Sequence, residues 1–419
     1  MQKLTKKLGV AVLAFVAVMA FSSVAFAATI GPDGTYETDA DAGDNTITIP
    51  KQIVFVNDES SSVREPNLVY TYTLSAADPS SATVEDEDGV KATVKQGVIA
   101  AATSTTATVT YADTNHASAS SDGIADEKTF SFTFDPTKFS APGIYRYQIV
   151  ESVSPTKASV GVTEAPTYSN TRYLDVYVQR TTTGASTMKI YGYVLSEDTA
   201  STSFKGNPTT ENLDKKSAGF VNTSSTSGSQ ADVDVYETQN FELTKDVQGT
   251  LADPNNNFPV SIALTPASGV TAPKLDVTLA SGATLNGTST DTLGTYITLG
   301  TLSGTVKDDS KITLVGIPAG STVAITETNN TPDSYKVKAG TSAGAVDLFA
   351  EATIASGANA GPTSTQTFTA KQVAFITNTL DAISPTGIVM RYGPFGFMLA
   401  AGIALLFVAT RRREEDARA

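Results

Sequence analysis

Cysteine and tryptophan are absent from this chain of 419 residues, and histidine occurs once, as His116. A chain without cysteine can form no disulfide and has no thiol nucleophile. The single histidine lies in a Thr/Ala/Ser-rich stretch that is typical of a loop, where a histidine is usually a surface residue. The composition therefore argues against thiol- and histidine-based catalysis within the chain.

Positive charge is also scarce, since 29 Lys and Arg face 43 Asp and Glu for a net charge of −14. Such an acidic surface argues against nucleic acid as a partner and suits a solvated extracellular protein. The acidic run 85–88 lacks the ligand spacing of a known calcium loop, so we interpret it as a solvated turn. We predict no metal, no cofactor and no enzymatic activity on an external substrate, because no pair of carboxylates is placed to flank a bond.

The first 27 residues have the features of a secretory signal peptide. Three lysines within positions 3–7 precede an uncharged apolar run over 8–21, and Ala-Phe-Ala at 25–27 is a small-x-small cleavage site. This order of positive, apolar and small residues is typical of exported proteins. A buried N-terminal helix is the alternative, but core helices rarely begin with three lysines. We expect residues 1–27 to be removed on export.

The C-terminal end carries a second ordered signal. A pentapeptide at 383–387 is followed by an apolar stretch over 394–410 and by a basic tail that begins with three arginines at 411–413. The apolar stretch is at the lower limit of a membrane-spanning helix, and the arginines would stay on the cytoplasmic side. A plain membrane anchor explains the helix and the tail but not the pentapeptide, which consists of Ile383, Ser384, Pro385, Thr386 and Gly387.

This arrangement resembles the sorting signal of sortase transpeptidases, whose usual motif is Leu-Pro-x-Thr-Gly. Here Ile383 replaces Leu and Ser384 replaces Pro, while Pro385-Thr386-Gly387 retains an ending that streptococcal pilins also use. The resemblance implies that the sortase thiolate attacks the carbonyl of Thr386 and expels Gly387. The chain is then the substrate of nucleophilic catalysis, and an amine captures the acyl-enzyme.

Between the two ends, short alternating segments rich in Val, Ile, Thr, Tyr and Phe are separated by Gly, Pro, Asp, Asn and Ser. The alternation is clearest at 68–74, 130–134, 173–178 and 189–194. Many short strands with turn signals between them are typical of antiparallel β-sandwiches. We therefore predict an all-β protein.

A Ser/Thr/Gly/Gln-rich run over 223–230 has no apolar periodicity and is typical of a linker. It divides the chain into a first domain at 28–226 and a second at 227–382, followed by the sorting signal at 383–419. We expect two tandem immunoglobulin-like β-sandwiches.

Polar residues interrupt the apolar faces of several predicted strands. Residues two apart on a strand share a face. Lys51, Glu151 and Asn222 then lie on faces whose other members are apolar: Ile47, Ile49, Ile53 and Phe55 for the lysine, Tyr145, Tyr147 and Ile149 for the glutamate, and Phe220 for the asparagine. The same order recurs in the second domain with Lys245, Glu327 and Asn378, among Phe241, Leu243, Val247, Val323, Ile325, Ile376 and Leu380.

Two interpretations of these residues are open. Each strand could be an edge strand whose polar side chain bends out to water. Alternatively, each set is buried together, because a lone buried ion costs several kcal/mol unless it is paired or neutralised. The repetition of one order in two consecutive domains favours burial.

The set resembles the streptococcal pilin isopeptide-linkage family, and the second domain is also similar to B-type repeats of collagen adhesins. Segment 143–151 matches the family's Gly-x-Tyr-x-Tyr-x-(Ile/Val)-x-Glu strand, and 320–327 matches its counterpart. Segments 220–222 and 375–378 match the closing strands, whereas Pro50 directly before Lys51 departs from the pattern.

The resemblance implies that a lysine on the first strand and an asparagine on the last condense into an amide, helped by a buried acid. It assigns Lys51 and Asn222 with Glu151 to the first bond, and Lys245 and Asn378 with Glu327 to the second. The reaction needs no cofactor, and its product would replace the missing disulfides.

The resemblance further implies the backbone subunit of a covalent pilus on a Gram-positive cell surface, anchored to peptidoglycan, with sortase and other pilin subunits as partners. In related major pilins the linking lysine lies shortly before the closing asparagine of the first domain, where this chain has Lys215 and Lys216. A solvated turn is the alternative for these two lysines. A monomeric wall-anchored adhesin that binds a host matrix protein or glycan is the alternative function.

Overall fold

The computed structural model describes residues 29–30, 36–37, 45–57, 60–78, 83–85, 91–118, 124–165, 168–182, 184–196, 219–220, 233–286, 296–341, 347–362, 364–382 and 395–408. The predicted signal peptide, most of the acidic run 85–88, the linker, the sorting pentapeptide and the basic tail lie outside these residues. Lys215, Lys216 and Asn222 also lie outside them.

The predicted all-β class is confirmed. The first part of the chain contains strands β1 (Thr29–Ile30), β2 (Tyr36–Glu37), β3 (Thr46–Val56), β4 (Ser62–Arg64), β5 (Leu68–Ala76), β6 (Thr83–Glu85), β7 (Lys91–Gln96), β8 (Thr106–Tyr111), β9 (His116–Ser118), β10 (Ile124–Thr133), β11 (Gly143–Ser154), β12 (Val162–Glu164), β13 (Thr171–Arg180) and β14 (Met188–Ser196). Short 3-10 helices cover Ile99–Ala101, Pro136–Lys138 and Lys157–Val160.

The second part contains strands β15 (Asp234–Gln248), β16 (Phe258–Thr265), β17 (Lys274–Ala280), β18 (Thr284–Leu285), β19 (Tyr296–Thr298), β20 (Thr301–Val306), β21 (Lys311–Pro318), β22 (Thr322–Thr328), β23 (Tyr335–Thr341), β24 (Asp347–Ile354), β25 (Asn359–Ala360), β26 (Gln366–Thr367) and β27 (Gln372–Thr379). A helix covers 395–408, within the predicted apolar stretch 394–410. Among the helices in the described part of the chain, none reaches the length and hydropathy that a membrane crossing needs.

The first core lies between two layers of strands. One layer has the order β14-β13-β11-β5-β8, with β7 joining β11 in parallel, and the other contains β3 and β10. Alternation along β5 explains this layering, because Leu68, Tyr70, Tyr72 and Leu74 are buried and Val69, Thr71 and Thr73 are not. The buried set joins the inward face of β3, including Ile47, Ile49, Ile53 and Phe55, in one hydrophobic core.

The second core is built in the same way. One sheet has the order β19-β17-β21-β15-β27-β23-β24, and the other has the order β18-β20-β16-β22-β25, with β26 also on β22. The inward faces of β15, β22 and β27 contribute Phe241, Leu243, Val323, Ile325 and Ile376 to a separate hydrophobic core. First and last strands of this core are direct neighbours, since β15 pairs in parallel with β27.

The long strand β15 belongs to both cores. Its first residues, Asp234–Glu237, pair with β3, and its later residues pair with β21 and β27. Tyr236 is part of the first hydrophobic core, whereas Phe241 and Leu243 are part of the second. The first core therefore extends beyond residue 226, and a continuous backbone strand joins the two.

Side chains also join the two cores beside β15. Asp276 of the second core contacts Arg64 Nε at 2.7 Å and His116 Nε2 at 2.8 Å, both from the first. Lys274 Nζ lies 3.0 Å from an oxygen of Asp113. His116 is 38% exposed but lies in strand β9, so the expectation of a loop residue was wrong. Pairing of β9 with β4 explains the difference, because three residues are too few to show strand alternation in the sequence.

Candidate functional site

Lys245, Glu327 and Asn378 meet inside the second core and are named the second cluster. They come from β15, β22 and β27 respectively, each on the inward face of its strand. Each residue is at most 1% exposed. Parallel pairing of β15 with β27 sets Lys245 opposite Ile376 and places Asn378 opposite Val247, two residues further along. The structure thus brings together all three residues that the sequence pattern singled out in this domain.

The carboxyl group of Glu327 bridges the other two side chains. One of its oxygens lies 2.9 Å from Lys245 Nζ, and the other accepts a hydrogen bond of 2.6 Å from Asn378 Nδ2. Asn378 Oδ1 has no hydrogen-bond partner among the described residues. The Phe258 ring centroid lies 4.5 Å from Lys245 Nζ and helps to seal the cluster from water. One carboxyl group therefore contacts both a lysine and an amide in an otherwise apolar core.

Burial controls the ionisation of this cluster. Burial lowers the pKa of Lys245 to about 8, and the carboxylate of Glu327 offsets this only in part. Burial also raises the pKa of Glu327 above its ordinary value of 4.5, against the opposing effect of the Lys245 ammonium. Both shifts favour the neutral amine and the neutral acid, because desolvation penalises the charged forms. At pH 7 a lysine with a pKa of about 8 is roughly one-tenth neutral amine, which is the nucleophilic form.

The first core holds a larger group of polar side chains, named the first cluster: Lys51, Glu151, Lys157 and Asp234 with the hydroxyl groups of Tyr70, Tyr72 and Tyr168. Lys51 lies on β3, Glu151 on β11 and Asp234 at the start of β15. Lys51 and Asp234 are fully buried, and Glu151 is 4% exposed. The structure thus places Lys51 and Glu151 together, while Asn222 lies outside the described residues.

Two carboxylates face two lysines in the first cluster. Lys51 Nζ lies 2.7 Å from Asp234 Oδ2 and 3.2 Å from Glu151 Oε2. Lys157 Nζ lies 2.9 Å from Asp234 Oδ1 and 3.2 Å from Glu151 Oε1, and it also contacts the half-exposed Glu164. Each lysine therefore touches both buried carboxylates, so the charges of the four groups balance locally.

Tyrosines complete the first cluster. Tyr70 donates a hydrogen bond of 2.6 Å to Asp234 Oδ2, Tyr72 donates one of 2.9 Å to Glu151 Oε2, and Tyr168 donates to Glu151 Oε1. Burial and the adjacent carboxylates raise the pKa of each of these tyrosines well above 10, so the hydroxyl groups stay protonated and act as donors. Burial lowers the pKa of Lys157, but Glu151 and Asp234 outweigh it, and the net shift is upward.

Asp234 and Lys157 were missed by sequence reasoning. Asp234 shares a face with the buried Tyr236 and Thr238, so strand alternation carried a signal, but the residue falls just after the run interpreted as a linker. Lys157 lies in a short 3-10 helix, where no periodicity marks its direction. Within the described part of the chain, no group of three or more His, Asp or Glu residues is arranged to hold a metal ion.

Comparisons with known proteins found a family model that matches the second core and solved structures that are similar to most of the chain. Residues 239–376 match the family model described as a domain of unknown function, DUF7601. No curated protein matches the chain. Among solved structures, the major pilin of Streptococcus pyogenes covers 82% of this chain over its whole length, at 17% identity and a TM-score of 0.39. In structure, the chain is similar to streptococcal major pilins.

Two further similar structures are a second major pilin and a pilus-presented adhesin. The T3.2 major pilin of Streptococcus pyogenes covers 80% of this chain over its whole length, at 16% identity and a TM-score of 0.36. A pilus-presented adhesin, Spy0125 (Cpa), matches 36% of this chain and 31% of its own, at 18% identity and a TM-score of 0.22.

Proposed function

We propose that this chain is the backbone subunit of a sortase-assembled pilus, stiffened by amide bonds that form between its own buried side chains. The observation that carries the proposal is the second cluster. An amine, a carboxyl group and a carboxamide are sealed in an apolar core, and the carboxyl group touches both of the others. This arrangement is costly for folding alone, since burying ionisable groups is unfavourable, but it fits a reaction between them.

The chemistry of the second cluster balances without a cofactor. The neutral amine of Lys245 attacks Cγ of Asn378, a C–N bond to Nζ forms, and the bond from Cγ to Nδ2 breaks. Glu327 takes a proton from the attacking nitrogen and delivers one to the departing nitrogen, which leaves as ammonia. The hydrogen bond from Nδ2 to Glu327 already joins the leaving group to the proton donor. Packing supplies the orientation, and aligned intramolecular pairs reach effective concentrations of up to about 10⁸ M.

The bond would serve a filament under tension. It would join β15 to β27, the first and last strands of the second core, which are parallel neighbours. Tension applied to the ends of the core would then be borne by a covalent bond as well as by the hydrogen-bond ladder between the strands. Such a cross-link resists reduction, which suits an exported chain that has no cysteine.

The intact mass of two variants with the same composition tests the internal bond. Asn378→Ala removes the carboxamide, whereas Asn255→Ala changes an exposed asparagine in a turn, so their unmodified sequences have equal masses. We expect Asn255→Ala to be lighter by about 17 Da, the mass of one ammonia lost in amide formation. Equal masses of the two variants would refute the bond.

A second experiment tests the assembly of the pilus. With the cognate sortases present, the wild-type chain should form a ladder of high-mass species in denaturing gels. Thr386→Ala should be exported but remain extractable with detergent, because the acyl-enzyme cannot form correctly. Replacing both Lys215 and Lys216 by Arg keeps the charge but removes the nucleophilic amine, so the ladder should disappear while the monomer still reaches the wall. A wild-type chain that gives a single band would favour the adhesin instead.

A further inference from the structure

The two cores place different residues at the same position relative to their buried lysines. In the second core, Val247 follows Lys245 by two residues on β15. Asn378 lies opposite Val247 on the parallel neighbour β27. In the first core, the residue opposite Ile53, two residues after Lys51, is Asp234 on the parallel strand β15. The position that holds a carboxamide in the second core therefore holds a carboxylic acid in the first.

The backbone explains how Asp234 reaches this position. Strand β10 occupies one edge of β3 along nearly its whole length, so only the other edge is available. On that edge Phe220 pairs with Lys51, through hydrogen bonds from Phe220 N to Pro50 O and from Gln52 N to Phe220 O. Gly219 permits this approach, because a Cβ there would lie 2.6 Å from Pro50 O. Residues Asp234–Glu237 then take up the same edge opposite Ile53–Val56.

The side-chain contacts of Asp234 suit a carboxyl group whose carbon is attacked by the neighbouring Lys51 amine. Lys51 Nζ lies 2.7 Å from Asp234 Oδ2, closer than to Glu151. Tyr70 donates a hydrogen bond to Asp234 Oδ2, and the Lys157 ammonium lies 2.9 Å from Asp234 Oδ1. Both groups withdraw electron density from the carboxyl carbon and stabilise negative charge on its oxygens during attack.

We propose that Lys51 forms its amide with Asp234 rather than with Asn222. This inference rests on the amide chemistry of the proposed function but concerns a different leaving group. A C–N bond forms between Lys51 Nζ and Cγ of Asp234, one C–O bond breaks, and that oxygen leaves as water. Starting from ammonium and carboxylate, both protons of the water come from Nζ, and Glu151 at 3.2 Å is placed to carry them. No external proton or co-reactant is needed.

Lys157 competes for the same carboxyl group but has a further partner that holds it away from attack. Its net pKa shift is upward, which keeps it an ammonium, and it also contacts the half-exposed Glu164. Lys51 is fully buried on a strand and has no such outer partner. Lys157 therefore acts as a positioning residue that holds and polarises Asp234.

Peptide mapping by tandem mass spectrometry of the full exported chain tests the assignment. We expect one cross-linked pair of peptides that contains Lys51 and Asp234 and has lost about 18 Da, the mass of water. Asn222→Ala should leave this pair unchanged, and Asp234→Ala should abolish it. Lys157→Arg, which keeps the positive charge, should retain it.

Asp234→Asn is the decisive variant because it is isosteric. Its carboxamide should still react, now losing ammonia, so the product is the same amide and has the same mass as in the wild type. A cross-link from Lys51 to Asn222 with a loss of about 17 Da, or one from Lys157 to Asp234, would overturn the assignment. A free Lys51 together with the ammonia loss in the second core would overturn it while the proposed function stands. Free lysines in both cores would refute both.

Discussion

The two clusters solve the problem of a buried lysine in opposite ways. The second cluster has one lysine, one acid and one neutral amide, and its surroundings are apolar. The first cluster has two lysines that share two buried carboxylates, with three tyrosine hydroxyl groups as additional donors. In the second core, the buried Lys245 and Glu327 therefore have few polar neighbours to offset their desolvation. In the first core, each buried group has several.

The difference bears on how each core could use its lysine. In the second cluster, burial alone moves the pKa of Lys245 and that of Glu327 toward each other, so the neutral pair is accessible. In the first cluster, three tyrosine hydroxyl groups and a second lysine contact the two carboxyl groups. A carboxylate is a poorer acyl group than an amide, so the extra donors around Asp234 compensate for the leaving group that it offers.

The largest effect is expected from removing the single acid of the second cluster. Glu327→Ala should leave Lys245 and Asn378 unlinked and the ammonium without a partner. Loss of a cross-link that closes a loop of about 130 residues should lower the free energy of unfolding by roughly 5 kcal/mol on the chain-entropy estimate used for disulfides. Thermal and denaturant unfolding of the second core measure this. Glu351→Ala changes an exposed glutamate and is the matched control; equal stability of the two variants would contradict the prediction.

A smaller effect, confined to a defined pH range, is expected when Lys245 stays but Asn378, with which it would form the amide, is removed. In Asn378→Ala, Lys245 remains a free amine with a folded-state pKa of about 8, below its ordinary 10.5. Between these values the unfolded chain binds more protons, so the free energy of unfolding should rise with pH, by at most about 3 kcal/mol. Below pH 8 this contribution is absent.

The control for this pH dependence is the double variant Lys245→Met, Asn378→Ala, which has no titrating lysine in the cluster. Its second core should show no rise in stability between pH 8 and 10.5 beyond that of the rest of the chain. The raised pKa of Glu327 acts at lower pH and in the opposite direction, since its stabilisation is present below 4.5 and lost as pH rises. A stability that is flat above pH 8 in Asn378→Ala would show that Lys245 is not desolvated.

Strand alternation was sufficient to predict much of this architecture. It predicted the inward faces of β3, β11 and β15, because each presents three or more apolar residues at a spacing of two, and it indicated those of β22 and β27 from fewer apolar residues. It could not predict Asp234, because the strand that carries it follows a polar run and its partner β3 lies about 180 residues earlier. Nor could it predict Lys157, whose direction depends on tertiary packing against Glu151 and Asp234.

The smallest effect concerns whether the two cores unfold separately, and it turns on Asp276. This side chain of the second core contacts Arg64 and His116 of the first, and is 17% exposed. Asp276→Ala should weaken the coupling by about 1 kcal/mol, the scale of a partly exposed ion pair. We expect two overlapping transitions in calorimetry of the wild type and two more widely separated ones in the variant, and added salt should reduce the difference between the proteins. Asp333→Ala removes an exposed aspartate of the second core away from this contact and should leave the transitions in place. If Asp276→Ala behaves like that control, the continuous strand β15 couples the unfolding of the two cores. The two cores then differ in their buried clusters and not in how they are joined.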